Sequence, residues 1–157
     1  MVVTLGGNTS LPVVTAQRTS GNLTNFPNST SWTDVDTGLD LVLPAAVGDI
    51  IEVTLSATCD GGGSGVGLWL DAFTIVSGSP VNSWGGGGAS GQGVGAWRNN
   101  QGAVGIGSAV HRTLVSGDIS GGTVTIRLRG RNGIAGNATL YAVTDIPLQW
   151  SAKNLRH

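Results

Sequence analysis

With 157 residues the chain has the length of one domain, long enough to bury a core without disulfide support. Only 11% of its residues are charged and the net charge is −1, which disfavours non-specific binding to nucleic acid. A single Cys, two His, one Glu (Glu52) and one Lys (Lys153) stand against 27 Gly, so the inventory for side-chain catalysis is almost empty and no enzyme is expected.

Residues 1–30 read as an extended N-terminal arm. The segment is rich in Asn, Thr and Ser, Pro12 and Pro27 interrupt it, and an arm of this kind suits pairing with a neighbour's sheet edge. Met1-Val2-Val3-Thr4-Leu5 carries no basic flank and is cut short by Gly6-Gly7-Asn8. No secretory signal is therefore expected, nothing approaches the ~20 apolar residues of a membrane helix, and synthesis is expected in the cytosol of the producing cell. Four Asn-x-Ser/Thr triplets, at Asn8, Asn22, Asn28 and Asn137, are then incidental to the composition.

From residue 31 onward the chain reads as one β-domain, 31–157. Leu39, Leu41 and Leu43 share one face of a predicted strand, and Ile51-Glu52-Val53-Thr54-Leu55-Ser56-Ala57 alternates over a full strand length. Leu68/Leu70/Ala72 alternate with Trp69/Asp71/Phe73, and Val124/Ile126/Leu128 with Thr125/Arg127/Arg129; Leu140/Ala142 and Leu148/Trp150 suggest two closing strands. A period of two means one buried face and one wet face, the pattern of antiparallel sheets. Turn chemistry separates these runs: Pro44-Ala45-Ala46-Val47-Gly48-Asp49 before one, Ser116-Gly117-Asp118 and Gly121-Gly122 before another. Short strands at this spacing predict a sandwich or jelly roll without helices. Two glycine-rich stretches, from Asp60 to Gly65 and from Gly85 to Gly91, read as loops, the second opening a long connection to about Gly107 that contains Trp84 and Trp97.

The charges are unevenly spread. No Lys or Arg occurs between Thr19 and Trp97, where Asp34, Asp36, Asp40, Asp49, Glu52, Asp60 and Asp71 fall; most cations lie in the second half. The halves are expected to complement each other, inside one sandwich or between subunits. The sharpest positive feature is Arg127, Arg129 and Arg131, at alternate positions of one strand and hence on one face. Three guanidiniums in a row need carboxylates or a partner surface opposite them, which points to a contact with acidic residues of another subunit or scaffold. Trp84 and Trp97 are the companion candidates, as interface anchors or as platforms for stacking sugars.

Other patterns fail on their own chemistry. Gly86-x-Gly88-x-x-Gly91 joins no strand to a helix, so it is no dinucleotide site. The run from Asp34 to Asp40 resembles the start of a calcium loop, but the twelfth position is Ala45 where a carboxylate is required, so no metal is assigned. His111 and Asp118 lack a nucleophile elbow, and Cys59 reads as a small buried thiol. No cofactor is expected.

Four segments, Trp32 to Asp49, Val76 to Trp84, Leu114 to Arg129 and Pro147 to Leu155, resemble small virion proteins of tailed phages that infect actinobacteria. The resemblance spans about residues 30–155. It implies a jelly-roll domain similar to the tumour-necrosis-factor/C1q type, usually trimeric, with no catalytic residues. On that basis the expected role is a capsid-decoration or minor capsid protein, bound to the major capsid protein on the virion surface as a homotrimer. The alternative is a tail-associated module that binds carbohydrate or a receptor, including host-surface glycans, through Trp84 and Trp97. Neither role involves nucleic acid or a membrane.

Overall fold

Residues 13–24, 26, 29–61, 67–85, 95–98, 104–132 and 138–155 are described by the computed structural model, and they are all-β apart from two single-turn 3-10 segments at Thr37–Leu39 and Ser116–Asp118. The strands are β1 (Val13–Arg18), β2 (Leu23–Thr24), β3 (Thr33–Asp34), β4 (Leu41–Pro44), β5 (Ile50–Gly61), β6 (Gly67–Val76), β7 (Ser79–Ser83), β8 (Gly95–Arg98), β9 (Val104–Thr113), β10 (Thr123–Asn132), β11 (Ala138–Leu140) and β12 (Leu148–Asn154). They form two curled antiparallel sheets in a sandwich-like arrangement around one core. The first sheet runs β1-β12-β5-β9, with β11 and β2 continuing beside the far end of β5. In the second, β10 lies between β6 and the short strands β3 and β4, while β7 and β8 pair with the outer side of β6.

Alternation dictates which side of each strand is buried. Ile51, Val53, Leu55, Ala57 and Cys59 of β5 point inward, as do Val124, Ile126 and Leu128 of β10, Leu68, Leu70 and Ala72 of β6, and Leu148, Trp150 and Ala152 of β12. Burying the Val, Leu and Ile side chains among these stabilises by roughly 1.5–3 kcal/mol each, which is what holds two curled sheets face to face. Trp150 also satisfies its one polar atom inside the core, its Nε1–H donating to the Leu39 carbonyl oxygen at 2.8 Å.

The first 30 residues are not one arm. Val13 to Arg18 pairs along its whole length with β12 of the same chain, Leu23 and Thr24 pair with β11, and the ring of Phe26 packs on Gly130. Val14, Ala16 and Leu23 touch the core, and that apolar burial outweighs the polar composition of the segment. An arm is confined at most to residues 1–12, which lie outside the described residues. The glycine-rich stretch from Gly85 to Gly107 likewise contains strands. Trp97 lies on β8, opposite Leu68, and β9 begins at Val104 and pairs with β5 over ten residues. Glycine tolerates an extended backbone when a neighbouring strand supplies the ladder, and here β5 and β6 do so.

Candidate functional site

The arginine row sits on the outer face of the second sheet, where the register of β10 against β6 places Arg127 opposite Phe73, Arg129 opposite Asp71 and Arg131 opposite Trp69. Its carboxylate partners come from the same chain. Arg127 donates from Nε and Nη2 to both oxygens of Asp40, at 2.8 and 2.6 Å, and from Nη1 to Asp34 at 3.0 Å. Asp40, against the cost of burial, holds this guanidinium firmly protonated. Arg129 donates from Nε to Asp34 at 2.6 Å and from Nη2 to the Trp32 carbonyl at 2.8 Å, with its guanidinium 5.0 Å over the Phe73 ring. Arg131 is stacked between two indoles, 5.1 Å from Trp32 and 5.2 Å from Trp69. Trp32 meets Phe73 edge to face at 5.2 Å.

This corrects the expectation that the row waits for acidic residues of another subunit. The side chains of Arg127 and Arg129 are only 12% and 17% exposed, and the bidentate bond of Arg127 to Asp40 and the single bonds of both arginines to Asp34 already use the chain's own carboxylates. The acidic and basic halves therefore complement each other inside one sandwich. Trp84 is corrected as well. It is 8% exposed, belongs to the core cluster, and donates from Nε1 to Thr74 Oγ1 at 2.9 Å, so its ring is presented neither to a partner nor to a sugar. Among the residues whose side chains are described, Trp32 and Trp69 are the indoles that reach the surface, and their sequence sign is the spacing that puts Trp69 on the same face as the arginines; the side chain of Trp97 lies outside the described residues.

Asp71, on this same face, is fully buried and accepts from the Ser83 hydroxyl and from the Gly85 N–H at 2.9 Å. Burial pushes its pKa up to about 6, against the lowering effect of the Ser83, Gly85 and Ala72 donors. At the edge of the first sheet, Arg112 points inward and donates from Nε and Nη2 to the buried Asp118, at 3.0 Å each. Burial works to raise the Asp118 pKa, but the Val115 N–H, Asn82 and Arg112 more than offset it and hold the carboxyl below its usual range. Asp118 is thus a structural ion and not the partner of His111, whose Nε2 lies 2.8 Å from Glu52 on the surface. Cys59 is buried, and desolvation followed by the charge of Asp60 pushes its thiol up to about 12, which makes it inert as a nucleophile. No group of three or more His, Cys, Asp or Glu side chains able to hold a metal occurs among the described residues.

With the arginine row closed on itself, the surface best suited to contact is the outer face of the first sheet. Its register aligns side chains in rows across four strands: Gln17, Gln149, Ser56 and Gly107 in one, Thr15, Ser151, Thr54 and Ala109 in the next. Thr54 and Ser151 share a hydroxyl hydrogen bond of 2.7 Å beside a shallow dent of about 210 Å³ floored by β5 and β12. A Cβ added at Gly105 or Gly107 meets nothing within 4 Å, so packing within the chain does not require glycine at either position. Glycines turned outward on a sheet face allow another backbone to approach closely. The row beyond, Val13, Lys153, Glu52 and His111, carries the charges of this face and bounds the uncharged rows on one side. Sequence reasoning passed over this surface because it attends to charged and aromatic residues. The available sign was that the central outward positions of β5, between Glu52 and Asp60, are Thr54, Ser56 and Thr58.

Neither the family models nor the curated proteins searched with this sequence contain a match to it.

Proposed function

We propose that the chain is a virion structural protein, a capsid-decoration or minor capsid protein that binds the assembled head as a homotrimer and stabilises it. The observation that carries this reading is the pair of uncharged rows in the middle of the first sheet's outer face, where β5 and β9 present only Thr54, Ser56, Gly107 and Ala109. Uncharged surface costs little to desolvate, and small side chains let a neighbouring backbone approach, which are the requirements of a permanent subunit contact. The strand order supports the jelly-roll type: β1-β12-β5-β9 in one sheet and β4-β10-β6-β7 in the other interleave early and late strands as a double Greek key does. A trimer would add its three weak contacts with capsid subunits into one durable attachment.

The test is native mass spectrometry of the purified protein, followed by co-sedimentation with heads that lack it. The expected species has three times the 15.8-kDa chain mass and pellets with the heads. A monomer that leaves the heads unoccupied ends the proposal. Binding of that monomer to cell-wall glycans, with loss on changing Trp69 and Trp32 to Ala, would establish the tail-module reading in its place.

A further inference from the structure

The first sheet ends at β1 on one side and at β9 on the other, and the backbone groups of these two edges are in phase. Across β5 and β9 the inward residues exchange the hydrogen bonds, since Leu114 N–H donates to Asp49 O at 2.8 Å at the head of that ladder. The outward residues of β5 bond the other way, as Leu155 N–H to Ile50 O and Tyr141 N–H to Thr58 O show, both at 2.8 Å. Alternation therefore turns the N–H and C=O groups of Gly105, Gly107, Ala109, His111 and Thr113 away from β5, and those of Val13, Thr15 and Gln17 away from β12. Among the described residues no further strand pairs with either edge. The inner side of both edges is incompletely covered as well: Val14 and Ala16 on β1 and Val110 on β9 are only partly buried.

A second copy of the chain fits these edges. Four strands with antiparallel neighbours leave β1 and β9 running in opposite directions. Rotation about an axis parallel to the strands preserves direction, so β1 of the next copy would lie antiparallel to β9, as a regular ladder requires. Carrying the rows of the sheet straight on places Gly107, Ala109 and His111 against Gln17, Thr15 and Val13 of the next copy, and on the inner side Val110 against its Val14 and Ser108 against its Ala16. No charge then meets a like charge, and Val110 and Val14 complete each other's cover. Three such sheets make a three-sided ring, and with strands about 5 Å apart its axis lies only about 5–6 Å from β12 and β5. In the uncharged rows those strands turn Gln149, Ser151, Thr54 and Ser56 toward it. Gly105 and Gly107 lie at the corners, where the backbone has to bend. The charged row Val13, Lys153, Glu52 and His111 falls at the strand ends, where the ring opens to water.

We infer that the β9 edge of one copy pairs with the β1 edge of the next, with Ala109 opposite Thr15, closing three copies into a ring whose lumen is lined by the outer face of the first sheet. The inference rests on the trimer reading and adds to it which strands meet. It is tested by oxidising the full chain carrying T15C/A109C. Opposed residues of such a ladder have Cα atoms about 5.5 Å apart, within reach of a disulfide. Inside one chain the two positions are three strand spacings apart, about 14 Å, so a bond between them joins two copies. Both positions are exposed, and the native Cys59 is buried. The expected product on a non-reducing gel is a covalent species of three chains, absent from T15C and A109C alone. The parent gives an independent reading by hydrogen exchange: the amides of Gly107, Ala109 and Thr15 are expected to exchange at least a hundredfold more slowly than unpaired edge amides. A parent of three chains by native mass in which these amides exchange freely would overturn the edge pairing and leave the trimer standing. A covalent product that stops at two chains would overturn the three-fold ring, and a one-chain parent would overturn both readings.

Discussion

Asp71 is the residue whose environment fits its charge least. It is a fully buried carboxyl held by a hydroxyl and a backbone N–H, with a folded pKa of about 6 against 3.8 for the ordinary group. Between those values the folded state binds more protons than the unfolded chain, so this group favours folding at low pH and that contribution is lost as pH rises through 6. Two pKa units correspond to at most about 3 kcal/mol. Asp71→Asn removes the charge and keeps one acceptor oxygen for the Gly85 N–H, while its NH2 can donate to the Ser83 hydroxyl. Melting temperatures across pH 4.5–7.5 are expected to show the parent losing stability relative to Asp71→Asn as pH rises; parallel curves would mean that Asp71 stays ionised throughout. Asp118 is shifted the opposite way, and its contribution is lost only as pH falls below the ordinary carboxylate value, outside this window.

Gly130 illustrates a second single-residue constraint. It faces inward on β10, and an added Cβ would lie 2.9 Å from Phe26 Cε1 and 3.2 Å from Leu70 Cδ2. Gly130→Ala must push an aromatic ring off the strand, at a cost of about 1–3 kcal/mol. Thermal or denaturant unfolding measures it, and an unchanged stability would mean that Phe26 is free to move away.

At the scale of elements, β10 shows what alternation alone reveals and what it hides. Its buried face was legible because Val124, Ile126 and Leu128 occupy every second position, and its arginines were rightly placed on one outer face. Which carboxylates face them was not legible. Asp34 and Asp40 are 95 and 87 residues away from Arg129 and Arg127 respectively, and only the pairing of β3 and β4 with β10 brings them there. Strands β4, β5, β6 and β12 were legible for the same reason as β10. β9 was missed in its first half because Gly105 and Gly107 erase the alternating signal, and β1 because its inward positions, Val14 and Ala16, are small and flanked by Thr15 and Gln17 in a polar stretch. The hairpin between β6 and β7 turns through Ser77 and Gly78, both at positive φ (51° and 79°), a tight turn that glycine makes easy at only one of its two centres.

The arginine pairing of β10 gives a test at this scale. Arg127→Ala leaves Asp40 and part of Asp34 without their guanidinium in a largely dry place. The expected loss is about 2–3 kcal/mol, and Arg127→Lys should recover little of it, since an ammonium cannot span both oxygens of Asp40. Urea unfolding of the two variants reads this directly. A row built for an external partner would instead tolerate both changes in the isolated protein and lose only the contact with that partner.

The molecule as a whole pairs most of its arginines with its own carboxylates and leaves the central rows of the first sheet's outer face uncharged. Arg18 with Asp36, Arg112 with Asp118, and Arg127 and Arg129 with Asp34 and Asp40 account for much of the charge within the sandwich itself. Self-association through the outer face of the first sheet would then be driven by close fit of uncharged polar rows, with little contribution from ion pairs. Two consequences separate this from a charge-steered assembly. Raising the salt from about 0.05 to 0.5 M shortens the screening length severalfold, yet the association constant is expected to stay within about a factor of three, because the rows Gln17–Gly107 and Thr15–Ala109 contain no charge to screen. Placing a guanidinium in those rows should have the opposite effect. Gly107→Arg or Ala109→Arg puts a long charged side chain where another backbone is expected to lie; a Cβ at Gly107 meets nothing within 4 Å and Ala109 is exposed, so the fold should be unaffected while a self-associated form would dissociate to monomer. Sedimentation velocity over a concentration series distinguishes the cases. An oligomer that persists in both variants, or one that falls apart with salt in the parent, would place the subunit contact on another face of the sandwich.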